Sequence, residues 1–331
     1  MRAGSLQPIL GFLDHAGVQT GRWLDRARVP QRELAKPAGL ISLPSTYRFL
    51  ELVARHEDMS DLGPQAAARV TSFSLGGYGQ TLQLAATVRE YLVTGASRVT
   101  TMENQGLSIW LASEGTSIRV NQVLAECAGI GGAVADSYVL MVTIGTLQKM
   151  LGADWWPDEI GLRRGTDALL GSRAAQFPGR VRYGLPHSYF TLPRETLCLP
   201  NAASITRPGQ AAGTVGAPPP LFPTSFAGSA ERLLEALLGE GITSIDIAAE
   251  AAGMSRRQFQ RRLAESGTSF SSLLTALRMR HARDWLANSE ISVAELAAEL
   301  AYTDDSNFAR AFRRETGLAP AAYRKSLKAL H

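Results

Sequence analysis

Cysteines and charged residues are scarce in this 331-residue sequence, and each scarcity excludes a class of protein. The two cysteines, Cys127 and Cys198, are too few for a disulfide framework or a zinc knuckle and are typical of a reduced intracellular protein. Charged residues make up 19% of the chain and hydrophobic residues 45%, a balance that predicts a folded core rather than a disordered chain. Since the chain is about twice as long as a typical domain, two domains are expected.

Long hydrophobic stretches are also scarce. The best uncharged apolar stretch, residues 137–148, is shorter than the about 20 residues that a transmembrane helix needs. The apolar stretch at residues 9–13 ends before Asp14 and is too brief for the core of a signal peptide. We therefore expect a cytoplasmic protein without a membrane segment.

Residue sets that would carry catalysis or hold a cofactor are a third scarcity. No Ser, His and Asp set lies in a nucleophile-elbow context, and no acid–base pair stands out, so the sequence predicts neither an enzyme nor a cofactor. The stretch SLGGYGQT at residues 74–81 lacks the pattern of a phosphate-binding loop and is interpreted as a turn from strand to helix. No metal is predicted, because an exposed helix end explains the only suggestive cluster, which consists of His56, Glu57, Asp58 and Asp61.

Charge almost disappears between Asn201 and Gly228, where Arg207 is the only charged residue. Pro, Gly, Ala, Ser and Thr dominate this stretch, a composition that cannot build a core and is typical of an interdomain linker. Three consecutive prolines at 218–220 favour a stiff, extended segment. The predicted organisation is a domain over residues 1–200, a linker over 201–228 and a second domain over 229–331.

The pattern before the linker mixes helices and strands. Helical spacing predicts a helix over 45–55, another that begins at Thr87 with Glu90 as its capping-box partner, and a long apolar helix over about 136–150. Short β-favouring stretches predict a three-stranded antiparallel meander over 98–102, 107–111 and 117–123. Further short strands are expected at 159–162, 180–183 and 189–192. The first domain is therefore predicted to be an α+β sensor domain.

After the linker the sequence predicts helices only, and one segment occurs twice. The stretch SIDIAAEAAGMSRRQFQRRLAESG from Ser244 resembles SVAELAAELAYTDDSNFARAFRRETG from Ser292. Each copy has a short Ala-rich helix, a tight turn and a second helix with apolar residues four apart, which is the helix-turn-helix pattern. The predicted domain is all-α, with two such units joined by a long helix. Its helices are expected to begin at Ser229, Ser244, Ser255, Ser269, Ser292 with Glu295 in a capping box, and Thr303.

The second helix of each copy has a face suited to the major groove of DNA. We assign Phe259, Leu263, Phe308 and Phe312 to packing, which leaves the polar side chains to project outwards. A single arginine-rich helix is often only a solvated face, but arginine and glutamine also pair with guanine and adenine, and two copies favour that role. The predicted DNA-binding residues are Arg256, Arg257, Gln260, Arg261, Asp305, Ser306, Asn307, Arg310, and, placed for phosphate, Arg313 and Arg314.

The spacing of the two copies suits one turn of duplex. The helix between them, with about 18 residues, would be about 27 Å long, against about 34 Å for a helical turn of DNA. One chain is thus expected to place two recognition helices in successive major grooves of double-stranded DNA. Residues 230–331 contain 14 Lys and Arg against 13 Asp and Glu, a net charge of +1, so the cations are concentrated on the predicted contact helices.

The segment from Ser244 to Arg324 resembles the DNA-binding domain of AraC/XylS-type transcription regulators. The family's C-terminal pattern is matched by Phe308, Arg310, Phe312, Gly317, Pro320, Tyr323 and Arg324. The resemblance implies a seven-helix domain that contacts DNA chiefly through Arg257, Gln260 and Arg261 in the first unit and Asp305, Ser306, Asn307 and Arg310 in the second. It also implies a sequence-specific transcription regulator.

The second copy departs from the family pattern, which usually has Gly where Ala301 stands. If the turn needs a positive φ, Ala costs about 1 kcal/mol there; the alternative is an ordinary helical conformation. Asp304 and Asp305 also place negative charge where the helix would approach phosphate. The second unit is therefore expected to bind DNA less tightly than the first.

Residues 43–58, 87–92 and 182–200 resemble the arabinose-binding-like effector domain found in one branch of these regulators. The resemblance implies a small-molecule effector, homodimerisation through this domain and, for an activator, contact with RNA polymerase. A jelly-roll sensor fits less well, because the region has more helix than a jelly roll. The alternatives are control by a protein partner, or an enzyme fused to a DNA-targeting domain. Five aromatic residues could line an effector pocket or simply pack in the core: Trp110, Tyr138, Trp155, Trp156 and Tyr183.

Overall fold

The computed structural model describes residues 1–36, 38–125, 129–163, 177–202 and 222–328. The chain divides into two compact units, Met1–Val29 with Glu33–Phe222, and Pro30–Arg32 with Pro223–His331. We call them the N-terminal unit and the C-terminal unit. Most of the predicted linker, at 203–221, lies outside the described residues, so its extended form and the domain bounds stay predictions.

Eight α-helices precede residue 152 in the described part of the chain. They are α1 (Gln7–His15), α2 (Gly21–Ala27), α3 (Gln31–Leu34), α4 (Leu43–His56), α5 (Leu62–Ala67), α6 (Gly76–Gln83), α7 (Val88–Met102) and α8 (Gly129–Leu151). Ser42 caps α4 and Thr87 caps α7, each accepting a backbone N–H three residues on. The glycine-rich stretch opens α6, and it follows a short 3₁₀ turn, Ser72–Ser74, rather than the predicted strand.

Five strands form one mixed sheet in the order β1-β2-β5-β3-β4. They are β1 (Leu107–Glu114), β2 (Ser117–Leu124), β3 (Glu159–Gly161), β4 (Arg180–Arg182) and β5 (Ser188–Pro193). Strands β1 and β2 form an antiparallel hairpin, β5 pairs antiparallel with both β2 and β3, and β3 pairs parallel with β4. The predicted α+β class is confirmed, and the sheet is not a jelly roll.

One predicted strand is wrong. Residues 98–102 are the last turn of α7, so the third strand beside the β1–β2 hairpin is β5. The error has a physical reason, because the β-branched Val99, Thr100 and Thr101 favour a strand locally while tertiary packing decides the outcome. Val99 is 2% exposed, and the hydroxyl of Thr100 donates to the carbonyl of Leu107 at 3.0 Å, which ties the helix end to the start of β1.

Helix α8 runs through the core of the N-terminal unit and packs against α4, α5 and the sheet. Two glycines allow this close packing: a Cβ on Gly131 would lie 1.8 Å from the carbonyl oxygen of Tyr47, and one on Gly63 would lie 2.5 Å from that of Val134. By length and composition alone α8 could span a bilayer, but 67% of its most apolar 18-residue window is buried inside the unit. In this structure it is therefore a core helix.

The C-terminal unit contains seven α-helices between residues 222 and 328. They are α9 (Phe226–Gly239), α10 (Ile245–Ala251), α11 (Arg256–Glu265), α12 (Phe270–Asn288), α13 (Val293–Glu299), α14 (Asp305–Thr316) and α15 (Pro320–Lys328). The predicted all-α domain is confirmed. Two of its predicted start points are wrong, since Ser225 rather than Ser229 caps α9 and Asp304 rather than Thr303 caps α14.

Two separate hydrophobic clusters build this unit. The first is centred on Leu234, Phe259, Leu263 and Leu277, and the second on Leu286, Leu296, Phe308 and Phe312. Helix α12 contributes to both, because Leu274 and Leu277 belong to the first cluster and Met279, Ala282 and Leu286 to the second. Each helix-turn-helix unit therefore has its own core on one shared helix.

Candidate nucleic-acid interface

The first helix-turn-helix unit consists of α10, a turn and α11. Gly253 has φ 68°, and the N–H of Met254 donates to the carbonyl of Ala249 at 2.9 Å, which closes the end of α10. Ser255 then forms a capping box with Gln258, so the start of α11 is fixed by two reciprocal hydrogen bonds. The turn and the cap together set the direction of α11.

Packing on α11 determines which side chains face solvent. Phe259 is 1% exposed and Leu263 is fully buried, so the arginines and Gln260 lie on the exposed surface. The side chains of Arg257 and Gln260 make no hydrogen bond or ion pair with other described residues of the chain. Two donor-rich side chains of α11 are therefore available to an external partner.

The remaining cations of α11 have partners within the unit. Arg256 approaches Asp246 at 3.4 Å and Arg261 approaches Glu265 at 3.6 Å, both on the surface. The guanidinium of Arg262 lies 5.6 Å from the centre of the Phe226 ring, on the flank of the helix. Exposed ion pairs of this kind are worth about 1 kcal/mol or less, so Arg256 and Arg261 can exchange them for phosphate or base contacts.

The second unit, α13, a turn and α14, has a different start to its second helix. The carboxylate of Asp304 accepts the backbone N–H of Asn307 at 2.6 Å and caps α14. The Asn307 side-chain amide donates to Asp304 at 2.5 Å and to Thr303 at 3.2 Å, and its oxygen accepts from Arg310 at 2.6 Å. Predicted contact residues Asn307 and Arg310 are thus already engaged with each other and with the cap.

Four other predicted contact residues of α14 lie on the exposed surface. Asp305 and Ser306 occupy the first turn, where the Ser306 hydroxyl points to Asp305 at 3.4 Å. Arg314 lies 3.8 Å from Glu315, and Arg313 forms no ion pair with any described residue. All ten predicted DNA-binding residues therefore lie on α11 and α14, and their contacts with DNA stay a prediction.

The turn of the second unit adopts a positive φ, which decides between the two alternatives for Ala301. Its φ is 53°, close to the 68° of Gly253, and the N–H of Tyr302 donates to the carbonyl of Ala297 at 2.9 Å. The two turns therefore share one conformation, in which glycine is unstrained and alanine is not.

A contact that the sequence analysis missed supports this turn. Arg278 of α12 donates to the carbonyl of Ala301 at 2.7 Å, and its guanidinium lies 4.4 Å from the centre of the Tyr302 ring. Arg278 is 23 residues away in sequence, and no local pattern distinguishes it from the other arginines of α12. The long helix therefore does more than connect the two units, since it holds the turn of the second.

The N-terminal unit contains a cavity of about 80 Å³, lined by residues of α1, α4, α6, α7, α8 and the β1–β2 hairpin. Tyr138 lines it, but the other four predicted aromatic candidates do not: Trp110, Trp155, Trp156 and Tyr183. Trp110 instead lies on the sheet surface at 38% exposure with its ring against His187, whereas the remaining three pack on the outside of the core. No group of three or more potential metal ligands occurs in the described part of the chain.

Two family models match the sequence. A helix-turn-helix domain matches residues 248–326, and the arabinose-binding domain of AraC transcription regulators, found at their N-termini, matches residues 17–201. The second match alone covers more than half of the chain. Together the two matches include both candidate contact helices and all of the cavity lining except Met1, Ser5, Leu6 and Ile9.

Individual relatives match over the C-terminal region. An uncharacterized HTH-type transcriptional regulator of Mycobacterium tuberculosis is 43% identical over 81 residues, which are 24% of this chain and 23% of that protein. The ornithine utilization regulator of Pseudomonas aeruginosa is 36% identical over 95 residues, 29% of this chain and 28% of that protein. The match thus spans only about a quarter of these relatives' length. Among solved structures, the transcriptional regulator CdpR of Pseudomonas aeruginosa matches 97% of this chain and 98% of its own, with 21% identity and a TM-score of 0.44.

Proposed function

The chain belongs to the AraC/XylS family of transcription regulators, and we propose that it binds specific DNA sequences through two successive major grooves and regulates transcription there. The observation that best supports this proposal is the pair of helices α11 and α14. Each follows a tight turn, is anchored by buried residues four apart and presents its N-terminal half to solvent. Recognition helices contact base edges with this half.

The length of α12 supports simultaneous binding by both units. Its 19 residues correspond to about 28 Å at 1.5 Å per residue, close to the about 34 Å between successive major grooves on one side of a duplex. We propose that Arg257 and Gln260 contact guanine and adenine, respectively, and that Arg313 and Arg314 contact phosphate.

The N-terminal unit is proposed to bind a small effector and to form a homodimer. The match to the arabinose-binding domain of these regulators supports an effector, and the cavity in this unit gives it a place. An effector alters DNA binding only if it favours one arrangement of the chain over another. An activator of this kind would also contact RNA polymerase, in the cytoplasm. Control by a protein partner in place of an effector is the alternative.

Selection of binding sites from random double-stranded DNA tests the core of the proposal. The full chain should enrich a motif with two blocks of base preference whose centres lie about 10 base pairs apart, one for each recognition helix. Footprinting on the enriched site should protect both blocks on the same side of the duplex. Enrichment of no motif, with binding that depends on salt but not on sequence, would show that the arginines serve only as a charged surface.

Dimerisation is tested separately by analytical ultracentrifugation of the full chain. At micromolar concentration it should sediment as a dimer without DNA, because the proposed interface lies in the N-terminal unit rather than on DNA. A monomer that dimerises only on a double site would place the association on the DNA instead.

A further inference from the structure

The cavity of the N-terminal unit has a predominantly apolar wall. Leu6, Leu50, Val99, Leu124 and Val142 line it, and each is at most 4% exposed. Its volume of about 80 Å³ is several times the roughly 10–15 Å³ that one water molecule needs. The space therefore fits one small organic molecule, and most of that molecule's surface would contact hydrocarbon.

One polar group in this wall lacks a partner. Three tyrosines line the cavity, and two of their hydroxyls are engaged, that of Tyr47 with the carbonyl of Ala125 at 3.1 Å and that of Tyr78 with the carbonyl of Gly95 at 3.3 Å. The hydroxyl of Tyr138 is buried and has no hydrogen-bond partner among the described residues, although Tyr138 is only 7% exposed. A buried hydroxyl without a partner is unfavourable, and a ligand with an acceptor atom would remove that cost.

The charge around the cavity disfavours an anionic ligand. No lysine, arginine or histidine side chain of the described residues lines it, whereas the carboxyl of Glu103 does. Glu103 is 8% exposed and accepts a hydrogen bond from the Ser5 hydroxyl. Burial raises the pKa of Glu103 to about 7. Because the site already disfavours ionised groups, a second negative charge would be expelled.

We infer that this cavity binds an uncharged, mainly apolar small molecule that offers a hydrogen-bond acceptor to the hydroxyl of Tyr138. The inference rests on the proposed effector function of the N-terminal unit and specifies the chemical class of the effector. It disfavours carboxylates such as short fatty acids, because no lysine, arginine or histidine side chain of the described residues lines the wall to pair with them.

Three probes with the same alkyl chain and different charge test the class on the full chain. They are 1-hexanol, hexanoate and hexylammonium, each titrated calorimetrically and scored by its shift of the thermal unfolding midpoint of the N-terminal unit. Hexanol should bind and raise the midpoint, and the two ions should do neither at the same concentration. Tighter binding of hexanoate or hexylammonium, or binding of none of the three, would overturn the inference.

A pair of tyrosine variants tests the role of the free hydroxyl. Tyr138→Phe should weaken hexanol binding about fivefold, the value of one hydrogen bond, and should leave the unliganded protein as stable as the parent or more so. Tyr78→Phe is the matched control, because it removes a hydroxyl from the same cavity that already has a partner in the protein. Equal losses for both variants, or no loss for Tyr138→Phe, would show that the Tyr138 hydroxyl is not the ligand's donor.

The outcome can be separated from that of the proposed regulatory function. Sequence-specific DNA binding is measured by gel shift without any probe, so its loss would contradict the proposed function while hexanol binding still supports the cavity. Conversely, specific DNA binding with no hexanol binding would leave the proposed regulator intact and remove the inferred effector class.

Discussion

Helix α11 begins with Arg256 and Arg257, whereas its counterpart α14 begins with Asp305 and Ser306. Along their lengths α11 has four arginines and one acidic residue, and α14 has three arginines and two acidic residues. The backbones are nonetheless repeated, with a positive φ in both turns and a side-chain cap at both second helices. The duplication has therefore preserved the framework and let the exposed surface diverge.

The hydrophobic cores of the two helix-turn-helix units also differ, in their aromatic content. In the first unit Phe259 packs with aliphatic neighbours and one aromatic ring, Phe226, at 5.6 Å between ring centres. In the second, a chain of rings runs from Tyr302 through Phe308 and Phe312 to Tyr323, with centres 5.3–5.7 Å apart. The first helix-turn-helix unit thus has more arginines on its second helix, and the second has more aromatic packing. We infer that the first helix-turn-helix unit contributes most of the affinity for DNA, and that the second is the more firmly packed of the two.

The largest effect is expected from breaking the ring chain of the second unit. Phe312 is fully buried between Phe308 and Tyr323, so Phe312→Ala should cost about 3–5 kcal/mol of unfolding free energy. Hydrogen exchange of the α14 amides should accelerate strongly, while the amides of α11 change less because Phe259 and Leu263 belong to the other cluster. Phe312→Leu is the control and should recover most of the loss. Equal acceleration in both helices would show that the two clusters unfold as one.

The next largest effect is expected on the free energy of binding to DNA. Arg257→Ala should cost about 1–3 kcal/mol of specific binding and relax base preference at one position. Arg310→Ala should cost less, because Arg310 already donates to Asn307 and would have to give up that bond to contact a base. The measurement is a gel-shift series on the selected site and on its single-base variants.

Arg262→Ala is the matched control for that series, since it removes the same charge from the same helix but from the flank against Phe226. It should weaken binding to all sequences slightly and leave the base preferences unchanged. If Arg310→Ala costs more than Arg257→Ala, the second helix-turn-helix unit contributes more to DNA affinity than the first.

Local signals predicted the C-terminal unit well, because capping and apolar spacing act within a few residues. Ser255, Ser269 and Ser292 were all confirmed as caps. The cap of α14 was misplaced because Thr303 and Asp304 are adjacent and both residue types cap helices. The exposed faces of α11 and α14 followed from the buried residues four apart.

Contacts between residues far apart in the chain could not be predicted from local sequence patterns. The last turn of α7 was predicted as a strand because its β-branched residues favour one locally, whereas in the structure residues 98–102 continue a helix that packs on β1. The contact between Arg278 and the carbonyl of Ala301 depends on how α12 crosses the turn, which local spacing does not encode. The cavity is another such case, because its lining comes from helices and strands more than 100 residues apart.

The smallest effect tests the one position at which the repeated turns differ. Gly253→Ala should destabilise the first unit by about 1 kcal/mol, because alanine is strained at a φ of 68°. Ala301→Gly should relieve the same strain at 53°, but its gain should stay below about 1 kcal/mol, because the added glycine also increases the entropy of the unfolded chain. Urea unfolding measures the change in unfolding free energy for each variant. Hydrogen exchange of the α10 and α13 amides then shows which helix-turn-helix unit is affected.

Arg278 should also influence the change in unfolding free energy that the Ala301 substitution causes. Its hydrogen bond to the carbonyl of Ala301 holds the strained turn in place. R278A should therefore cost less in the parent, where the freed turn can relax and release strain, than in combination with A301G, where the turn adopts a positive φ without strain. Equal costs in the two backgrounds would mean that the bond and the strain are independent. An A301G variant destabilised by more than the about 1 kcal/mol that the entropy of an added glycine explains would mean that the Ala301 methyl group, which packs against the first cluster, outweighs the strain it causes. In that case the alanine side chain at this position packs between the two helix-turn-helix units. Replacing the family's glycine by alanine then adds a packing contact and is not a defect of the second turn.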